Sequence, residues 1–249
     1  MSIAEKMNEI AENVPLVYRA GQDKEWSDFW DIFQHDNVLG DNLKRNYSNT
    51  FRTRSWSKDN FKPKYDIIAT SGEYMFEFFN QYGEIFDFAQ HLEDLGVALD
   101  VSQCTSARSM FYFMYVGRLP EINLSGATTV ANAFNYNRAA TIDKLTLKSD
   151  GSQTMTNAFS NMPNLKNIVI EGAIGQNGVN LSASTQLSGA SITSFVNALL
   201  ESASGKSITF SLTAVNNAFE TSAGAADGST AEEWGTLIAT KSNWTISLA

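Results

Sequence analysis

A period constrains this chain more than any single residue does. Leu99, Ile122, Leu145 and Ile168 lie 23 residues apart. Each opens a short alternating run: Leu99-Asp100-Val101, Ile122-Asn123-Leu124, Leu145-Thr146-Leu147 and Ile168-Val169-Ile170. Leu119, Ile142 and Leu165 keep the same interval, and Phe111, Phe134 and Phe159 form a third series whose last step is longer by two residues. The excess is returned before Leu165, because Phe159 precedes it by two residues fewer than Phe134 precedes Ile142. Three apolar series in phase predict a stack of small units, none able to bury its own apolar face alone. The expected fold class is α/β: a solenoid of coils of about 23 residues, each a short strand plus a short helix.

Composition bounds the function classes. With 249 residues, 43% hydrophobic and 18% charged, the chain is long enough for a substantial core beneath a weakly charged surface. Cys104 is the single cysteine, which excludes an internal disulfide and reads as a small buried apolar residue. Residues 1–64 carry ten basic and ten acidic side chains, so residues 65–249 hold the whole net charge of -9. An acidic body of this kind repels nucleic acid, which needs clustered positive charge. No run approaches the ~20 apolar residues of a membrane span, so no membrane partner is expected. The opening Met1-Ser-Ile-Ala-Glu-Lys lacks the layout of a secretion signal, and synthesis in a host cytoplasm is expected.

Residues 3–14 read as an amphipathic helix, with Ser2 and Glu5 at capping-box spacing and Ile3, Met7, Ile10 and Val14 on one stripe before Pro15. A second helix over 24–34 gathers Trp26, Phe29, Trp30 and Phe33 on one face. Two readings apply to that stripe: core packed against the first coil, or an assembly interface anchored by tryptophan. The stretch 35–64 interleaves seven basic residues with Tyr47, Phe51, Trp56 and Phe61. Such a mixture can bind single-stranded nucleic acid, but the favoured reading is a connector with solvated charges. From Tyr65 the repeats begin: Tyr74–Phe79 echoes Ser109–Met114, and Phe86–Leu95 reads as a helix ending on Gly96. Residues 173–188 read as a loop, Ala190–Leu200 as a helix, Ser207–Leu212 as a strand, 230–240 as a helix capped by Thr230, and Trp244–Leu248 as a closing strand. This divides the chain into a helical attachment and oligomerisation module (1–64), a repeat body (65–188) and a capping unit (189–249).

No pattern of residues points to catalysis. His35 and His91 are far apart and lack metal-ligand spacing. Glu93-Asp94 and Glu232-Glu233 are adjacent pairs whose side chains diverge, unlike the facing carboxylates of glycosidases. Gly172, Gly175 and Gly178 sit in a loop without a strand-to-helix phosphate cradle, and no Gly-x-Ser-x-Gly turn occurs. The reading is therefore non-enzymatic, with no catalytic, cofactor-binding or metal-binding residue assigned and no cofactor expected. Trp26, Phe29, Trp30 and Phe33 remain as the candidate assembly interface.

The lines Leu119-Pro-Glu-Ile-Asn-Leu-Ser125 with Met110-Phe111, and Leu165-Lys-Asn-Ile-Val-Ile170 with Ala158-Phe159, resemble the leucine-rich repeat of BspA-type bacterial surface proteins. The resemblance covers roughly residues 65–172. The opening through Trp30 and the ending Ala239–Ala249 resemble proteins encoded in phages and prophages of gut-type bacteria. Together these resemblances imply a leucine-rich-repeat-like solenoid with a helical amino-terminal module and an atypical carboxy-terminal cap. They also imply a structural virion protein of the tail, baseplate or fibre that presents its repeat surface for recognition. The implied partners are other virion proteins, further copies of the chain as a trimer, and a host-surface glycan or protein. The alternatives are a bacterial cell-surface adhesin or interaction module, and a capsid decoration or head-fibre protein.

Overall fold

Phe51, Phe76, Phe111, Phe134 and Phe159 each sit at the centre of a turn, and the five turns lie one on another. In the computed structural model, which describes residues 44–52, 54, 56–64, 66–219 and 232–249, the residue two before each phenylalanine has a left-handed backbone. These are Asn49, Tyr74, Ser109, Asn132 and Asn157, with φ between 52° and 62°. Phe78, Phe113, Tyr136 and Asn161, two after, are left-handed as well. This alternation divides the backbone donors between two uses. The N–H groups of Asn132, Phe134 and Tyr136 bond to carbonyls of Thr156, Ala158 and Ser160 in the next layer, at 2.9, 2.9 and 3.0 Å. Those of Ala133, Asn135 and Asn137 close tight turns onto Val130, Asn132 and Phe134. Every donor from Asn132 to Asn137 is used, which is what holds non-glycine residues of this turn in a conformation costing roughly 1–2 kcal/mol apiece. It also explains why no helical turn forms around Met-Phe or Ala-Phe: a helix needs consecutive right-handed residues.

The strands are short and all pair in parallel. β1 (Lys44–Asn46), β2 (Ile67–Ser71) and β3 (Leu99–Asp100) make one sheet; β4 (Arg118–Asn123), β5 (Thr141–Thr146) and β6 (Asn167–Glu171) a second; β7 (Val179–Leu181), β8 (Lys206–Phe210) and β9 (Trp244–Leu248) a third. Four helices are present among the described residues: α1 (Phe88–Leu95), α2 (Gly189–Ala198), α3 (Leu212–Phe219) and α4 (Glu232–Ala239). The leucine-rich-repeat-like solenoid expected from the period is therefore corrected. Three separate three-stranded sheets replace one continuous sheet, and helices do not recur once per coil. The physical reason lies in unequal layer lengths. Between Phe76 and Phe111 an extra loop and α1 intervene, and β3 and β4 are not paired. Between β6 and β7 the chain turns through Gly172 and Gly178, with φ of 88° and 111°. Both pack against the backbone of the preceding layer closely enough to exclude a Cβ.

The interval of 23 holds across β4 and β5, where Leu119 faces Ile142 and Ile122 faces Leu145. It fails at β6: Ile142 faces Ile168 and Leu145 faces Ile170, so Ile168 and Leu165 are not the members their spacing suggested. The two extra residues in the phenylalanine series are a real insertion, and the register shift between Ile142 and Leu145 absorbs the remainder.

A continuous aromatic spine forms the core. Neighbouring rings of the five phenylalanines stack at 5.1, 5.6, 5.3 and 5.5 Å, within 24° of parallel. Phe195, Phe210 and Trp234 extend the line edge-to-face. Strand ends share a second device that spacing alone does not reveal. In Asn46-Tyr-Ser48, Asp100-Val-Ser102, Asn123-Leu-Ser125 and Asn180-Leu-Ser182 the first side chain accepts the serine N–H, turning the chain while the middle residue is buried.

Tyr47, Phe51, Trp56 and Phe61, read from sequence as part of a connector, are fully buried around the first layer, and β1 pairs with β2. The boundary at residue 64 thus falls inside a packed unit. The expected loop at 173–188 contains β7, and Asn217-Ala-Phe219 is the last turn of α3 rather than another stacked turn. Helix α1 starts on Asp87, whose carboxylate accepts the Gln90 N–H, and stops at left-handed Gly96 as expected. The proposed helices at 3–14 and 24–34 lie outside the described residues.

Candidate functional site

The stacking that buries the central phenylalanines also lines up what stands two residues later. Phe78, Phe113 and Tyr136 occupy successive layers and form a second, outward column. Phe78 lies 5.6 Å from Phe113, and Phe113 stacks on Tyr136 at 4.5 Å and 14°. Tyr112 stands nearly perpendicular to all three. The left-handed backbone at each column position is fixed by the interlayer ladder, so the rings are set by the fold and not by loop chance.

Arginines flank the column. The Arg54 guanidinium lies 5.1 Å from the Phe78 ring centre and 5.3 Å from that of Tyr82, and it donates to the Tyr82 hydroxyl. Arg138 lies 5.5 Å over Tyr115, and Arg52 5.2 Å over Tyr74. Such contacts contribute roughly 0.5–1 kcal/mol each at exposed positions. Arg52 is further paired with the Glu77 carboxylate, whose burial pushes its pKa up while Arg52 draws it back. Arg54 and Arg138 have no carboxylate at ion-pair distance among the described residues.

The loop 80–86 borders this face. It belongs to the long layer between Phe76 and Phe111 and carries Tyr82 at 74% and Ile85 at 54% exposure. Asn80 pins it by donating to the carbonyls of Glu84 and Tyr115, both at 2.8 Å. In stacked architectures, extra length in one unit commonly emerges on the binding face. Beside Tyr136, which is 39% exposed, Asn161 donates to Asn135 and Asn135 to Asn132, forming a row of amides.

On the outer side of β4–β6, Arg118 pairs with Asp143 and Asp87, and Lys144 with Glu121 and Glu171. An open cleft of about 520 Å³ lies beside α2, but its Lys241 ammonium is committed to the carbonyls of Leu199 and Asn197, where it caps the helix end. His91 is held inside, its Nε2 2.6 Å from the Phe61 carbonyl oxygen. Burial, with a smaller push from Asp100, raises the Cys104 thiol to about 12, which suits the apolar role read from sequence. Among the described residues no cluster of His, Cys, Asp and Glu could hold a metal, and no helix is long and apolar enough to cross a membrane.

Trp26, Phe29, Trp30 and Phe33, the interface candidates from sequence, lie outside the described residues, so the structure neither gathers nor separates them. The face around Phe78, Tyr112, Phe113 and Tyr136 was missed by sequence reasoning. Its signal was present, because Phe78, Phe113 and Tyr136 each follow a central phenylalanine by two residues. No family model matches the chain, and neither a curated protein nor a solved structure is similar to it.

Proposed function

We propose that this chain is a non-enzymatic structural protein of a phage particle, in the tail, baseplate or fibre, and that the aromatic–arginine face is its recognition surface. The observation that carries the recognition role is two guanidiniums without a carboxylate partner among the described residues, each over a half-buried ring and close to the exposed Tyr82 and Tyr136, on a chain whose net charge is -9. Tyrosine and arginine are the residues that most often anchor protein recognition, because each combines apolar area with directional polar groups. The virion assignment draws on the resemblance of the two chain ends to phage-encoded proteins. In this reading the amino-terminal residues attach the chain to the particle as a trimer, and the layered body presents the face outward.

Mass spectrometry of washed particles released by lysis of the bacterium carrying the gene tests the assignment. The chain is expected at a fixed copy number relative to the other structural proteins. Its absence from washed particles overturns the assignment, and a monomer by light scattering overturns the trimer.

A further inference from the structure

We propose that the occupant of the aromatic–arginine face is an acidic oligosaccharide, a glycan whose sugar rings carry carboxylates; this rests on the recognition reading above. Tyr82 exposes ring surface beside the column and Tyr136 at its end. The polarised C–H bonds of a pyranose pack well on the electron-rich face of such rings. Arg54 and Arg138 supply the second element. Each guanidinium is charged, lies over a ring, and has no carboxylate partner among the described residues. A guanidinium's planar fork matches a carboxylate with two parallel hydrogen bonds, so these two arginines complement a ligand bearing that group.

The length of the column favours an oligomer over a single sugar. Arg54 lies over Phe78 in the Phe76 layer, and Tyr136 ends the column in the Phe134 layer, two steps away. At about 4.8 Å per step these two layers are separated by about 10 Å. At the outer end of the Asn161–Asn135–Asn132 row, the exposed Asn161 amide offers a neutral hydrogen-bonding group suited to hydroxyls. The face is also set before binding, because interlayer bonds fix the backbone at Phe78, Phe113 and Tyr136 and little ordering remains to be done. Single-stranded nucleic acid is the competing polyanion. It fits less well, because Phe113 and Tyr136 already stack on each other and leave no slot between them for a base.

The test uses the full-length chain on an array of immobilised uronate- and sialate-containing oligosaccharides, each printed beside its carboxyl-reduced counterpart. The variants are Tyr82→Ala, Arg54→Gln and Arg138→Gln, with thermal unfolding followed to confirm that each remains folded. Binding to at least one carboxylate-bearing oligosaccharide is expected, with a loss of about tenfold or more on carboxyl reduction and a similar loss in each arginine variant. No binding to any carboxylate-bearing glycan, equal binding to the reduced forms, or unchanged binding by all three variants overturns the ligand class. Competition by a single-stranded oligonucleotide at comparable concentration overturns it in favour of nucleic acid. Adhesion of the fluorescently labelled chain to intact bacterial cells separates the two levels. Adhesion that is lost in the three variants but indifferent to carboxylate glycans defeats the ligand class and leaves the recognition face standing. No adhesion, or adhesion unchanged by the variants, defeats the recognition face itself.

Discussion

Replacing Phe134 by alanine removes the middle ring of the aromatic spine. Phe134 is fully buried, with Phe111 at 5.3 Å and 12° on one side and Phe159 at 5.5 Å and 10° on the other. Truncating a buried phenylalanine costs about 3–5 kcal/mol in lost transfer energy and cavity formation. Each stacked pair contributes about 0.5–1.5 kcal/mol beyond its area, so the loss should reach the top of that range, about 5 kcal/mol. A domain is stable by only about 5–15 kcal/mol, which makes this a large fraction of the total. Each kcal/mol moves the midpoint of a chain this long by about 2–4 °C, so a fall of roughly 10–20 °C is expected. Urea unfolding followed by far-ultraviolet circular dichroism measures the loss, with the slope checked for a change in cooperativity. Phe134→Leu keeps most of the apolar volume, loses the ring contacts, and should cost about 1–2 kcal/mol. A loss below about 1 kcal/mol for alanine, or equal losses for alanine and leucine, refutes the claim that stacked rings hold adjacent layers together.

The remaining predictions concern the turns, one buried amide and two titrating groups. Asn157 is exposed and left-handed at φ 53°, so Asn157→Gly should leave the unfolding midpoint nearly unchanged while Asn157→Val costs about 1–2 kcal/mol; the reverse order would refute the backbone assignment. Gln153 is buried and donates to the carbonyls of Leu124 and Ala127 while accepting from the Lys148 N–H. The Leu124 carbonyl also accepts the Ala127 N–H, so Gln153→Leu strands two backbone groups, the Lys148 N–H and the Ala127 carbonyl, and should cost about 2 kcal/mol or more in the same urea assay. Burial raises the Glu77 carboxyl above its ordinary 4.5, so the folded state keeps a proton that the unfolded state has released. Stability from this group falls as pH rises from about 4.5 through the folded value, and Glu77→Gln should remove that slope from urea midpoints taken between pH 4.5 and 7. Cys104, raised from 9.0 to about 12, should resist iodoacetamide until urea unfolds the chain, and stability should decline as pH climbs from 9 towards 12.

Several features were legible in the sequence because they are local. The left-handed stop at Gly96, the strand at Trp244–Leu248, the helix near 190–200 and the buried cysteine each follow from a few neighbouring residues. The phase of Phe111, Phe134 and Phe159 was legible as well, and those three rings do stack. Register was not legible. Spacing matched Leu145 to Ile168, but pairing through space places Leu145 opposite Ile170, because a two-residue insertion carries β6 out of phase. Nor could spacing foresee the breaks into three sheets, which arise where unequal layers and close-packed glycines interrupt the pairing.

The candidate face shows the same division. Phe111 and Phe113 are identical side chains two residues apart, and alternation alone does not say which one enters the core. The stacked turns decide it: Phe111 is fully buried in the spine, while Phe113 joins the outer column with residues 23 and 35 positions away. Arg54, Phe78, Tyr82 and Tyr136 are likewise scattered along the chain. The sequence by itself determined that Phe78, Phe113 and Tyr136 each follow a central phenylalanine by two residues. Only the tertiary structure decided that these three rings meet and that Arg54 and Tyr82 join them, because hydrogen bonds between layers convert equal position within a turn into proximity in space.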